Sequence, residues 1–144
     1  MKKVIITGST GMVGKGVLLE CLDSPQIEKV LVIKRSSLGM QHPKLQEVLL
    51  PDFLNIASLK DQLNGYDACF YCMGISAVGM KEELYYKITY TTTKAFADVL
   101  YELNPQMTFI YVFFSITTEN ILITRSCPIS IIGLHRVFAI EISE

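Results

Sequence analysis

Thr7-Gly8-Ser9-Thr10-Gly11-Met12-Val13-Gly14 sets three glycines three residues apart, between the β-branched run Val4-Ile5-Ile6-Thr7 and a segment of helical periodicity that opens at Met12. No other feature limits the fold as much, because each glycine meets a separate demand. The first permits a tight turn, the middle one lets backbone approach a pyrophosphate, and the last lets helix pack closely on strand. The helix N-terminus behind them offers free N–H groups and a partial positive charge to an anion. Gly8, Ser9, Thr10, Gly11, Met12, Val13 and Gly14 are therefore the expected phosphate loop of a dinucleotide site.

The rest of the chain supplies the scaffold that such a loop needs. Strands are predicted at Lys3 to Thr7, Val30 to Ile33, Leu45 to Leu50, Ala68 to Met73 and Met107 to Phe113. Helices are predicted at Met12 to Leu22, Ile56 to Leu63 and Lys81 to Leu103, the last two ended by Asn64-Gly65 and Asn104-Pro105. Val13, Val17, Leu18 and Cys21 share one face of the first helix. Leu84, Ile88, Phe96, Val99 and Leu103 mark a face of the long one, with Thr92 filling the gap. Continuous apolar strands are buried on both faces, and their alternation with helices implies parallel crossovers. The expected fold is α/β, a doubly wound parallel sheet of the Rossmann type over residues 1–112. It is truncated or altered after the fifth strand, with residues 113–144 an atypical tail.

Two further positions bear on the ligand. In NAD sites an acidic residue at the end of the second strand bonds the ribose 2′-hydroxyl. Here that strand ends Val32-Ile33-Lys34-Arg35, without an acid. Arg35 offers a guanidinium whose geometry matches a 2′-phosphate; the plainer alternative keeps Lys34 and Arg35 as solvated loop charges. These residues favour NADP over NAD, with NAD still open. Asp52-Phe53, just after the third strand, fall where a side chain borders the adenine.

Composition excludes several classes. Thirteen Lys and Arg against 14 Asp and Glu leave a net charge of −1, without the cationic excess of a nucleic-acid binder. A chain of 144 residues suits one domain, which buries roughly two thirds of its unfolded surface and needs no staple. Met1-Lys2-Lys3 leads straight into a strand-like run, not into the apolar region of about 7–15 residues that a secretory signal needs. Met107 to Ile116, the longest apolar stretch, falls short of the roughly 20 residues that span a bilayer. A cytoplasmic protein with no membrane partner is expected. Cys69-Phe70-Tyr71-Cys72 spells C-x-x-C, a redox or zinc spacing. On a strand, however, residues three apart face opposite sides, and no second pair completes a zinc site. The thiols read as core residues in a reducing compartment. His42 and His135 stand alone, so no metal site is expected.

Taken with Cys72-Met73-Gly74 after the fourth strand, these residues resemble the extended and atypical short-chain dehydrogenase/reductases. Within them, the chain is most similar to the small NAD(P)-dependent epimerase/dehydratase-like and NmrA-like members. The resemblance covers residues 1 to about 112. It implies a nicotinamide cofactor held by the glycine loop, Arg35, Asp52, Phe53, Cys72, Met73 and Gly74, and hydride transfer at a C–OH/C=O carbon. Ile88-Thr89 and Thr93 stand where the family usually has a Val-Asn pair and a Thr, and Thr89 departs from the Asn. In the family a Tyr acts as acid/base, a Lys four residues on lowers its pKa and holds the ribose, and a Ser orients the substrate. That Tyr and Lys lie on the helix after the fifth strand.

Tyr90-Thr91-Thr92-Thr93-Lys94 has this spacing but lies one helix too early. The last tyrosine is Tyr111 and the last lysine Lys94, so the expected helix cannot supply the pair, and the catalytic residues stay unassigned. Ser115, in Phe113-Phe114-Ser115-Ile116-Thr117-Thr118, stands in for the family serine without further support. From Phe113 onward Lys, Asp and Tyr are absent and Ile becomes frequent. This shift reads as a changed reading frame or a truncated product. Alternatively, Ile121 to Thr124 and Ile129 to Leu134 form replacement strands, and Arg125-Ser126-Cys127-Pro128 resembles the Arg-Pro turn after the family's sixth strand. Three functions stay open: an NADP(H)-dependent oxidoreductase or epimerase-like protein, inactive as this chain; an NmrA-like dinucleotide sensor; and a cut-short product that binds nothing well. The substrate is unassigned, and a homo-oligomer is open.

Overall fold

The computed structural model describes residues 1–37, 39–74, 79–114, 129–134 and 137–142, with side chains given as far as Tyr111. β1 (Lys2–Thr7) lies inside a sheet, between β2 (Ile27–Lys34) and β4 (Ala68–Tyr71). β3 (Leu45–Leu49) flanks β2, β5 (Thr108–Phe114) flanks β4, and all five strands run parallel. Alternating side chains feed two cores. Ile5, Leu31 and Ile33 face Phe53, Ile56, Leu63, Phe96 and Leu100. Val4, Ile6, Val30 and Val32 face Leu18, Cys21 and Leu22 of α1 (Met12–Asp23). The opposite face is covered by a 3-10 segment (Phe53–Leu59), α2 (Lys60–Leu63) and α4 (Thr92–Leu103). Helices on both faces of a parallel sheet are the doubly wound arrangement that the periodicity predicts.

Beyond β5 the sheet turns antiparallel. β7 (Val137–Ile142) pairs with β5, and β6 (Ile129–Leu134) pairs with β7 at the edge. The strand expected at Ile129 to Leu134 is present, and Val137–Ile142 is an addition to the prediction. The stretches Ile121 to Thr124 and Arg125 to Pro128 lie outside the described residues.

The single long helix expected over Lys81 to Leu103 is three pieces: α3 (Glu82–Tyr86), a π turn (Lys87–Thr91) and α4. Threonines explain the wider turn. Thr89 Oγ1 donates to the Tyr85 carbonyl at 2.6 Å and Thr92 Oγ1 to that of Lys87 at 3.1 Å, while Thr93 Oγ1 donates to that of Thr89. Hydroxyls that compete for helix carbonyls loosen the regular ladder. The π turn also shifts the apolar phase, so Leu84 is exposed, and Leu100 joins Phe96 in the core.

The stop signal Asn104 does more than end α4. Its Oδ1 accepts from the Gly65 and Tyr66 amides at 2.7 and 3.2 Å. Its Nδ2 donates to the Leu63 and Leu100 carbonyls at 2.9 and 3.3 Å. One buried side chain thus ties the end of α4 to the turn that leads into β4.

Candidate functional site

The parallel strands run in the order β3-β2-β1-β4-β5, so the connections reverse direction between β1 and β4. Ligands of open α/β sheets bind beyond the carboxyl ends of strands at such a switch point. Both strands end there in close contact. Cys72 N donates to the Thr7 carbonyl at 3.3 Å. Gly8 turns with φ +69°, and a Cβ on it would fall 2.5 Å from the Cys72 carbonyl and 2.7 Å from Met73 N. Only glycine fits where the two backbones meet.

The turn then closes on itself. Gly11 N donates to Gly8 O at 3.1 Å, and Lys15 N donates to Gly11 O at 2.9 Å as α1 begins. A Cβ on Gly14 would fall 2.1 Å from Gly8 O. The third glycine therefore packs the helix against the carbonyl of the turn, not against the strand itself. Gly11 differs from both: a Cβ there would meet only Gly8 O, at an ordinary 3.4 Å. The fold itself therefore does not demand glycine at position 11.

The loop is equipped for an anion. Gly11 caps α1 without a side-chain hydrogen bond, and the first turn holds no acidic residue. The amides of Met12, Val13 and Gly14 are those that helix geometry leaves without intrahelical acceptors. Ser9 is 1% exposed, and its Oγ has no hydrogen-bond partner among the described residues. A buried hydroxyl left unpaired is costly, so an orphaned donor beside an open helix N-terminus fits a pyrophosphate.

The other predicted site residues follow the ends of β2, β3 and β4. Arg35 is exposed, one residue beyond β2, while Lys34 before it is buried. Asp52 is exposed, and its Oδ1 accepts from Leu54 N at 3.0 Å. The Phe53 ring stacks on Phe96 at 5.4 Å within the core. Of that pair, only Asp52 stands at the surface. Met73 packs against the core, and Gly74 is exposed. Cys21, Cys69 and Cys72 are free thiols. Burial pushes Cys72 up to about 12, with Cys21 adding to the shift, and pushes Cys21 itself up to about 11, with Glu20 adding. Burial likewise raises the Cys69 thiol well above its ordinary value, with Cys72 adding to the shift. Thiols held protonated in this way are poor nucleophiles.

Tyr90 and Lys94 each contact another residue of the same helical segment. Tyr90 is 53% exposed and stacks on Tyr86 at 4.9 Å, while Lys94 Nζ is tied to Asp98 Oδ2 at 2.5 Å. His42 Nδ1 accepts from Lys44 N at 3.2 Å, a local turn contact. Ser115 and His135 lie outside the described residues.

A strand, a glycine turn and an uncapped helix at a β1/β4 switch point define a Rossmann-type dinucleotide fold. The model of the NAD dependent epimerase/dehydratase family matches residues 4–119, and the chain belongs to that family. Similar solved structures include uronate dehydrogenase from Agrobacterium tumefaciens, as a mutant complexed with NAD (22% identity, TM-score 0.61, covering 77% of this chain and 40% of that one). A short chain dehydrogenase family protein from Francisella tularensis is similar at 17% identity and TM-score 0.62, covering 77% and 50%. UDP-N-acetylglucosamine 4-epimerase from Methanobrevibacter ruminantium is similar at 22% and 0.57, covering 72% and 35%. The chain thus spans between about a third and a half of the length of these structures. No curated protein sequence matches it significantly. Among the described residues, no helix is long and apolar enough to cross a membrane.

Proposed function

We propose that this chain binds a nicotinamide dinucleotide at the Gly8 to Gly14 loop, NADP(H) ahead of NAD(H), and that the 144-residue chain holds it without turning it over. The observation that carries this reading is the contrast among the glycines. Gly8 and Gly14 are demanded by internal contacts, and Gly11 alone leaves an open approach to the start of α1. Ser9, Thr10, Gly11, Met12 and Val13 then surround the pyrophosphate. Arg35 lies toward the adenosine ribose, where its charge favours a 2′-phosphate. Asp52 borders the adenine with its carboxylate, and Phe53 supports that edge from the core. Cys72-Met73-Gly74 border the nicotinamide half. When bound, the cofactor supplies a hydride donor or acceptor.

The reaction class of the wider family is hydride exchange at a C–OH/C=O carbon. The dehydrogenase and epimerase names of the similar structures support it. A sensor that binds without turnover, of the NmrA-like sort, is favoured for this chain by one observation: Tyr90 and Lys94 are engaged with Tyr86 and Asp98. We place the protein in the cytoplasm, where a reducing medium keeps Cys21, Cys69 and Cys72 as thiols. A second copy of the chain is the partner that would cover exposed Leu84, Tyr86 and Tyr90.

The test is to follow NADPH binding by fluorescence and its consumption by absorbance, against a panel of aldehydes and ketones. Binding without consumption is expected. Consumption that vanishes in Tyr90→Phe would make that residue the acid and overturn the sensor reading. Consumption that survives Tyr90→Phe would also overturn it, and would direct attention to Ser115.

A further inference from the structure

We propose that the amino-terminal end of the sheet holds a second site, for the phosphate group of a small molecule, in a cavity bordered by Lys3, Lys29 and Lys44. The strands set these three lysines in one row. Lys3 of β1 pairs with Lys29 of β2, and Lys44 lies level with Lys29 because the residues that follow them, Leu45 and Val30, are partners. Neighbouring strands stand about 4.8 Å apart, and like charges set opposite one another repel. Gly8 lies five residues beyond Lys3. At about 3.3 Å a residue, the row is about 16 Å from the glycine turn, at the other end of the sheet.

What holds these ammoniums sets two of them apart. Lys2, Lys60 and Lys94 sit on the carboxylates of Asp67, Glu102 and Asp98. Lys29 and Lys44 are held instead by neutral groups. Lys44 Nζ donates to the Leu22 and Ser24 carbonyls at 2.9 and 2.7 Å, and Lys29 Nζ lies 5.6 Å from the centre of the Tyr66 ring. Among the described residues, neither forms an ion pair with a carboxylate. Carbonyls and a ring face orient an ammonium without neutralising it. An ammonium has three donors, so Lys44 keeps one beyond the two it uses. Lys3 does meet a carboxylate, that of Glu28 at 3.7 Å, but both side chains are more than a third exposed and such pairs are weak.

A cavity of about 450 Å³ opens among these groups, and its lining includes Lys3, Glu28, Lys29, Lys44 and the apolar Pro43 and Leu45. Sites for small molecules occupy roughly 300–1,000 Å³. The charge of the lining identifies the ligand class. Three ammoniums against one carboxylate leave two positive charges at the cavity. A phosphate monoester carries about 1.5 to 2 negative charges at pH 7, on three strong acceptor oxygens. It therefore matches the row in charge and offers one oxygen to each cation, whereas a simple carboxylate brings a single charge. Bound there, it also relieves the repulsion that the strand register imposes on the lysines.

The experiment titrates glycerol 3-phosphate into the isotope-labelled full chain at fixed ionic strength and follows its amide NMR signals, with acetate as the singly charged control. Saturable shifts are expected at Glu28, Lys29, Lys44 and Leu45, and acetate should bind at least about fivefold more weakly. Lys29→Gln should weaken glycerol 3-phosphate by about fivefold, whereas Glu28→Gln, which removes the one carboxylate, should tighten it by about twofold. Lys60→Gln makes the same charge change away from the cavity and should leave the affinity within about 1.5-fold. Shifts confined to the Gly11 to Gly14 amides would move the phosphate to the glycine turn and overturn the inference, with the cofactor reading untouched. Equal weakening in Lys29→Gln and Lys60→Gln, or no saturable shift at all, would overturn it as well.

Discussion

The α-carbon of Gly14 packs so closely on the carbonyl of Gly8 that a Cβ at Gly14 would lie 2.1 Å from that oxygen and 2.6 Å from its carbon. Both contacts are to backbone, which cannot rotate aside. Gly14→Ala should therefore destabilise the fold by about 3 kcal/mol, the upper end of overpacking. Gly16, two residues along the same helix, has nothing within 4 Å of an added Cβ and is exposed. Gly16→Ala should stabilise by about 0.5–1 kcal/mol, through lower unfolded-chain entropy and better helix propensity. Urea melts of the two variants check the opposite signs.

Asn104 gives a second stability prediction. Its four hydrogen bonds join α4 to the turn before β4, and its loss leaves buried amides and carbonyls without partners. Asn104→Ala should cost about 3 kcal/mol. A melt within about 0.5 kcal/mol of the unmodified protein, the ordinary range of surface changes, would show that water replaces the side chain.

A third prediction concerns pH. Asp67 Oδ2 accepts from the Lys3 amide at 2.8 Å and Oδ1 from Lys2 Nζ at 2.9 Å. The Lys3 N–H, then the Lys2 side chain, hold this carboxyl below its ordinary 3.8. A depressed folded-state pKa adds stability that is present above the unfolded value and lost as pH falls through the folded one. Asp67→Asn should thus be less stable than the parent at pH 7, and the gap should close as pH falls below about 4. A gap that persists in acid would assign the effect to hydrogen-bond geometry, not to charge.

The five parallel strands, the helix-covered faces and the glycine turn were legible in the sequence because each rests on local periodicity or on a glycine that only one backbone path explains. The site was legible in part. The burial of Lys34 is not legible in the sequence, because lysine is usually exposed. Phe53 follows β3 as expected, but its ring packs on Phe96, a contact that needs α4 folded over the sheet. The π turn was hidden because Thr89, Thr92 and Thr93 fit a helix in composition. Only their hydroxyl contacts widen it. β7 escaped prediction because a strand antiparallel to β5 depends on a pairing partner distant in sequence.

The central claim, that the open side of Gly11 receives a dinucleotide, is tested most directly by calorimetric titration of NADPH into the chain and into Gly11→Val. The structure leaves room for the added carbon, with Gly8 O at 3.4 Å, so circular dichroism should show the variant folded. The unmodified chain should bind, and Gly11→Val should bind at least ~10-fold more weakly, a loss of ~1.4 kcal/mol. A folded Gly11→Val protein with the same NADPH affinity as its parent would contradict the account.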